Sequence, residues 1–190
     1  MTNTDATPLW SPYYIMKGVI PVSLCEQIIQ YHNQLPYSKG QVLREGKSKL
    51  SLTRNVKLQG SSLSWANDMV IDYVKYANKI NFKYDLSDID KELLQFSKYS
   101  FGMYFNTHMD WDPHKAHTRK LSVTVQLSNP NHYKGGNLIL YHCNQGKVKC
   151  PKDQGTIVVF DSRWLHRVTP VFWGERYSLV KWVHGDQPLR

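Results

Sequence analysis

The sequence predicts an α+β fold that is mainly β, a double-sheet roll with supporting N-terminal helices. Three observations carry this expectation. Apolar residues recur at helical spacing in two stretches before residue 93, short β-rich runs separated by turn residues follow from Leu93 onward, and no strand–helix–strand alternation points to a parallel sheet. A length of 190 residues suits one domain, 1–190, with an N-terminal arm, helices and edge strands over 1–92 and the roll core over 93–185.

Pro8, Pro12 and Pro21 fix backbone angles and remove donors, so the first 22 residues should form an extended arm laid over the body. A helix is expected from Ser23, which would cap it while Glu26 completes a capping box, with Leu24, Ile28 and Ile29 facing the core ahead of Pro36. Leu63, Trp65, Ala66, Met69, Val70, Tyr73, Val74 and Ala77 repeat at three- and four-residue spacing, which predicts a second helix over 62–80. Between them, 41–59 reads as polar-rich edge strands. Later strands are expected over 93–99, 103–110, 120–128, 137–142, 147–150, 156–160, 165–168 and 176–183. Their separators, such as Asn129-Pro130-Asn131, Gly135-Gly136, Asp153-Gln154-Gly155 and Gly174, are turn chemistry.

Composition narrows the function. An apolar share of 41% argues against disorder. No apolar run approaches the roughly 18 residues of a membrane span, and the start MTNTDATPLW lacks the basic end and apolar stretch of a secretory signal, so a cytoplasmic protein without a membrane partner is expected. Lys and Arg number 24 against 15 Asp and Glu, a net charge of +9. The basic residues are dispersed and no helix-turn-helix, zinc-finger or RNA-binding signature accompanies them, which argues against nucleic acid as the partner. Cys25, Cys143 and Cys150 are odd in number and lack CxxC spacing, so reduced thiols are expected rather than a disulfide framework or structural zinc; Cys143 and Cys150 could face each other across a hairpin, but packing is the expected role.

Alternation along Leu121–Ser128 turns Leu121, Val123, Val125 and Leu127 one way and Ser122, Thr124, Gln126 and Ser128 the other. The polar face lines a pocket only if other polar residues converge on it. His108 and Asp110 stand two apart in a predicted strand, so both project from one face, and His166, in a later apolar run, is the best third ligand. Two imidazoles and a carboxylate form the facial triad of oxygen-activating Fe(II) enzymes. His114, His117 and Asp112 lie close by as alternatives, although Pro113 should end the strand and carry the later histidines into a loop. Arg176 and Ser178 share one side of the last strand with Val180 and Trp182, an odd place for an arginine unless it meets an anion or a structural carboxylate.

Ordered blocks then resemble a known family. Tyr99-x-x-Gly102-Met103-x-Phe105-x-x-His108-x-Asp110, Arg119, Leu127-Ser128-x-Pro130, Tyr133-x-Gly135-Gly136-x-Leu138, Leu165-His166-Arg167-Val168-Thr169-Pro170-Val171, Gly174 and Arg176 are similar to the prolyl and lysyl hydroxylase branch of the Fe(II)/2-oxoglutarate dioxygenases, and most closely to the PKHD-type hydroxylases. The resemblance covers Leu93 to Val183. Phe105 stands where the family usually has Tyr, Asn137 where an acidic residue is usual, and Lys181 where the residue is often small.

The resemblance implies a double-stranded β-helix (jelly roll) in which His108, Asp110 and His166 hold Fe(II). By the same resemblance, Arg176, with Ser178 behind it, anchors the C5 carboxylate of 2-oxoglutarate, Tyr99 adds a donor, Gln126 and Thr124 line the pocket, and Trp182 forms a wall. It implies O2 as the other cosubstrate, ascorbate as a stimulant, succinate and carbon dioxide as co-products, and a proline-containing protein or peptide as substrate. A free amino acid or small metabolite is the alternative substrate, and a cupin-like metal-binding module without turnover is the alternative class. Arg54, Trp111 and the loop to Thr118 would border the metal and select substrate.

Overall fold

The computed structural model describes residues 11–39, 41–44, 47–50, 54–114, 116–142 and 146–185. The chain begins with β1 (Tyr13–Met16), α1 (Val22–Asn33), β2 (Ser38–Lys39), β3 (Gln41–Arg44), β4 (Lys47–Leu50), β5 (Arg54–Asn55), β6 (Lys57–Gly60) and α2 (Ser64–Ala77), which runs into a π turn at Asn78–Phe82. Then come β7 (Gln95–Tyr99), β8 (Tyr104–His108), β9 (Arg119–Gln126), β10 (Tyr133–Gly135), β11 (Leu138–His142), β12 (Gly146–Lys149), β13 (Ile157–Asp161), β14 (His166–Val168), β15 (Val171–Gly174) and β16 (Arg176–His184). A seven-stranded sheet runs β1-β13-β9-β16-β7-β6-β2, and a five-stranded sheet runs β12-β11-β14-β8-β5. Their strand pairs are antiparallel, and the two sheets make the jelly roll.

Both faces of the larger sheet are covered. Leu121, Val123 and Val125 of β9, Ile157 and Val159 of β13, and Leu179 and Val183 of β16 pack with Cys25, Ile28, Ala66, Val70 and Val74 of the helices. Alternate residues turn to the smaller sheet, where Val158 and Phe160 of β13 join Tyr99, Leu138, Leu140 and Val168. Each fully buried aliphatic or aromatic side chain contributes roughly 1.5–3 kcal/mol, so the helices fix the outer face of the sheet and leave its inner face to shape a cleft. Lys181 is the exception on the outer face: its buried ammonium donates to Asn67 Oδ1 of α2 at 2.9 Å, to Asp90 Oδ1 at 3.3 Å and to the Glu92 carbonyl at 2.7 Å. The residue that departs from the family's small side chain thus bolts the sheet to α2.

Several expectations are corrected. Ser23 does not cap α1. The helix starts at Val22, and the Pro21 carbonyl accepts the amides of Leu24 and Cys25, which leaves Ser23 and Glu26 inside the first turns without a capping bond. α2 is shorter than 62–80, and the π turn that continues it stops at Lys83, whose φ of 56° is left-handed. Trp65, counted in its buried stripe, is exposed, while Ile71 is buried. The N-terminal arm contains a strand, β1, paired with β13, and the short strands β10 and β15 were not expected. Strand β8 ends at His108, so Asp110 is not a strand residue. Cys143 lies outside the described residues; Cys150 is buried and free. Among the described residues no helix is long and apolar enough to cross a membrane.

Candidate active site

His108 and His166 come together because β8 and β14 are antiparallel neighbours that place the two residues directly opposite one another. Their ring centroids are 4.2 Å apart. Asp110 reaches the same point from beyond the strand end. Its amide and that of Trp111 both donate to the Ser162 carbonyl at 3.0 Å, and Arg119 Nη1 donates to its carbonyl at 3.1 Å. Asp110 Oδ1 is then 3.5 Å from His108 Nε2, and Oδ2 is 3.4 Å from His166 Nε2. The ligand atoms of all three lie within 4.8 Å of one another.

The donor set suits a metal ion. His108 Nδ1 donates to the Asn106 carbonyl at 2.7 Å and His166 Nδ1 to the Trp164 carbonyl at 2.9 Å. A carbonyl only accepts, so each Nδ1 carries the proton and each Nε2 turns a lone pair inward. His108 Nε2 is buried without a hydrogen-bond partner among the described residues, so its lone pair is available to a ligand. Two ligand atoms each about 2.1 Å from an ion and set at a right angle stand about 3 Å apart, close to the separations seen here. Burial by itself would raise the Asp110 carboxyl, but His166, His108 and Ser122 together hold it well below the usual carboxylate range. Burial pushes His166 below the ordinary imidazole value against the opposite pull of Asp110, which favours the neutral ring a metal requires.

Residues that sequence reasoning gave no role support the triad. Ser122 Oγ donates to Asp110 Oδ2 at 2.7 Å and is 3.0 Å from Ser162 Oγ. The signal for Ser122 was its place on the polar face of β9, whereas Ser162 is delivered by a turn and had none. Phe105, where the family has Tyr, stacks on His108 at 3.6 Å between centroids. Phe160 meets His166 edge-on at 4.7 Å. Arg119 pairs with Glu92 and lays its guanidinium 4.3 Å from the centre of the Trp182 ring. Glu92 also accepts from His184 Nε2 at 2.7 Å. Burial would raise Glu92, but bonds from His184 and Arg119 bring it down to about 2.

A narrow cleft borders the triad, and Thr124, Tyr99 and Trp182 are among the residues that line it. Arg176 is 1% exposed. Its Nη1 donates to Ser178 Oγ and its Nη2 to Gln126 Oε1, each at 3.0 Å, and its Cζ stands 5.2 Å from the Tyr99 ring centre. No carboxylate pairs with Arg176 among the described residues, so the salt-bridge alternative has no partner there. Gln126 and Ser178 therefore meet the arginine rather than the cleft wall. Trp111 is not brought to the cleft lining; its indole N–H donates to the His117 carbonyl of its own loop at 3.1 Å. The Arg54 backbone pairs with Phe105 on β8, and its side chain lies outside the described ones. Asn137 uses its side-chain amide on Thr169 Oγ1 at 3.2 Å.

Residues 94–184 match the profile of the 2OG-Fe(II) oxygenase superfamily. The chain is 27% identical over 172 residues to a PKHD-type hydroxylase of Rippkaea orientalis, a match covering 88% of this chain and 76% of that one. It is 33% identical over 89 residues to a PKHD-type hydroxylase of Idiomarina loihiensis, covering 47% of this chain and 40% of the relative. In fold it is similar to a Trichoplax adhaerens prolyl hydroxylase solved with a hypoxia inducible factor oxygen degradation domain peptide, with a TM-score of 0.73 at 19% identity over 91% of this chain and 83% of that one.

Proposed function

We propose, from the match of residues 94–184 to the 2OG-Fe(II) oxygenase superfamily profile and from the PKHD-type relatives, that this chain is a 2-oxoglutarate-dependent dioxygenase that hydroxylates an unactivated C–H bond of a prolyl residue in a protein or peptide, releasing succinate and carbon dioxide. Fe(II) in the site, with 2-oxoglutarate and O2 as cosubstrates, supplies the oxygen chemistry. His108 Nε2, Asp110 and His166 Nε2 hold the ion, and the two Nδ1 bonds to backbone carbonyls keep both imidazoles in the ligating tautomer. Arg176 binds the distal carboxylate of 2-oxoglutarate through two parallel donors, while Ser178 and Gln126 hold the guanidinium in place. Tyr99 packs beside that guanidinium and adds a donor, and Thr124 gives the cleft wall a polar patch. Trp182, pinned under Arg119, keeps water from the reacting carbon. Arg54 and Trp111, beside the triad in sequence or sheet register, select substrate.

The observation that carries this reading is the buried Arg176 guanidinium, which has no carboxylate partner among the described residues and stands on the sheet face that also lines the cleft beside the triad. The peptide complex of the Trichoplax neighbour supports a peptide rather than a free amino acid as substrate. Ascorbate would stimulate turnover by keeping the iron reduced, and the cytoplasm is the expected compartment. The test incubates the protein with Fe(II), 2-oxoglutarate, ascorbate and a library of proline-containing peptides in air. A peptide should gain the mass of one oxygen atom in step with succinate formation. Succinate formed in step with an oxidised free amino acid, and no oxidised peptide, would overturn the peptide assignment.

A further inference from the structure

Tyr133, at the start of β10, is 1% exposed. Its hydroxyl is nevertheless buried without a hydrogen-bond partner among the described residues, and so is Nε of Arg176. An unsatisfied buried polar group of this kind is costly, and two at one place call for an explanation.

They are at one place. Gly136 lies between the two side chains with a left-handed φ of 58°, and a Cβ there would stand 2.9 Å from Arg176 Cδ and 3.3 Å from Tyr133 Cε2. Only a glycine lets the phenol and the arginine stem come this close. The tyrosine is also fixed. Its backbone pairs with Gly174 of β15, and Lys152 Nζ sits 3.6 Å from the ring centre while donating to the Gly135 carbonyl at 3.1 Å. Burial raises the phenol above its ordinary value against the lowering pull of Arg176, so it is protonated at neutral pH and has an O–H to donate. The phenol oxygen can accept from the arginine Nε–H, but the arginine has no acceptor to offer the phenol's own proton. The missing group is an acceptor for that proton, and a carboxylate, acceptor-only with two oxygens, can take it while facing the guanidinium.

We propose that Tyr133 donates its hydroxyl hydrogen to the distal carboxylate of 2-oxoglutarate beside Arg176, and so helps select a dicarboxylic over a monocarboxylic 2-oxo acid. The inference rests on the assignment of Arg176 above and adds a residue from outside the strand that carries the arginine. Lys152, behind the ring, adds positive charge to the same end of the roll.

The experiment measures binding of 2-oxoglutarate and of 2-oxobutyrate, which lacks the distal carboxylate, to the Mn(II)-loaded protein and its Tyr133→Phe and Arg176→Gln variants. Hydrogen bonds to charged groups predict that Tyr133→Phe weakens 2-oxoglutarate about 10- to 100-fold and leaves 2-oxobutyrate and Mn(II) binding unchanged. If the unchanged protein prefers 2-oxoglutarate, Arg176→Gln abolishes the preference and Tyr133→Phe does not reduce it, the arginine stands and the role of Tyr133 is overturned; a water molecule would then satisfy the hydroxyl. If the unchanged protein shows no preference, the Arg176 assignment itself fails and Tyr133 falls with it. A second measurement covers a variant that does not fold: in the Zn(II)-loaded unchanged protein labelled with 13C at tyrosine Cζ, one buried resonance should shift on adding 2-oxoglutarate and stay put with 2-oxobutyrate. An identical response to both acids would count against the proposal.

Discussion

On β9, Leu121, Val123 and Val125 are fully buried against the helices, while Ser122, Thr124 and Gln126 are 1%, 7% and 2% exposed against the smaller sheet. The two faces are buried almost equally and differ in polarity. A strand covered on both sides is ordinarily apolar on both. Here the polar side chains are justified one by one: Ser122 by Asp110, Gln126 by Arg176, and Thr124 by the cleft. Substitutions on the outer face should therefore alter stability, and those on the inner face should alter binding.

The largest effect is expected from the inner side. His166→Ala removes one of the three ligand atoms, and succinate formation should fall to background with the melting temperature little changed; near-normal turnover would show that the triad does not hold the catalytic ion. On the outer face, Leu121→Ala should destabilise the protein by about 2–5 kcal/mol in denaturant titration, with metal affinity unaltered in the folded fraction. Equal losses of metal binding and stability would erase the distinction between the faces.

Glu92 sharpens the comparison at the strand ends, where it ties Arg119 of β9 to His184 of β16. Its pKa falls from an ordinary 4.5 to about 2 in the folded protein. Folding is therefore favoured fully above pH 4.5, and this contribution, up to about 3 kcal/mol, is lost as the pH falls through 4.5 toward 2. In Glu92→Gln that stretch of the acid stability curve should flatten, as read by urea titrations at stepped pH; an unchanged curve would remove Glu92 from the account. The smallest effect belongs to Ser122→Ala, which takes one bond from Asp110 and should weaken Co(II) binding about tenfold, a loss that Ser122→Thr should partly recover.

Much of this was legible because alternation in a strand is a strict code. The two faces of β9, the pairing of His108 with His166 and the company of Arg176 with Ser178 all follow from strand periodicity once the neighbours are known. What the sequence obscured were junctions. Asp110 reaches the site through two amides bonded to Ser162, a residue from a distant turn, and no local pattern announces that contact. The start of α1 misled because Ser23 and Glu26 fit the capping pattern while the Pro21 carbonyl already opened the helix. β1 hides behind Pro12, and β10 and β15 are too short to show a period. The Tyr133 hydroxyl could be recognised as orphaned only after the whole roll closed around it.

The triad and the Arg176 guanidinium lie on the inner side of the roll, and the proposed function requires them to bind Fe(II) and the far carboxylate of one 2-oxoglutarate molecule together. Anaerobic addition of Fe(II) and then 2-oxoglutarate tests it most directly. A visible metal-to-ligand charge-transfer band should appear only when both are present, and Arg176→Gln should require far more 2-oxoglutarate to reach the same intensity. A protein that binds both and gives no band, or a variant that saturates at the same concentration, would contradict it.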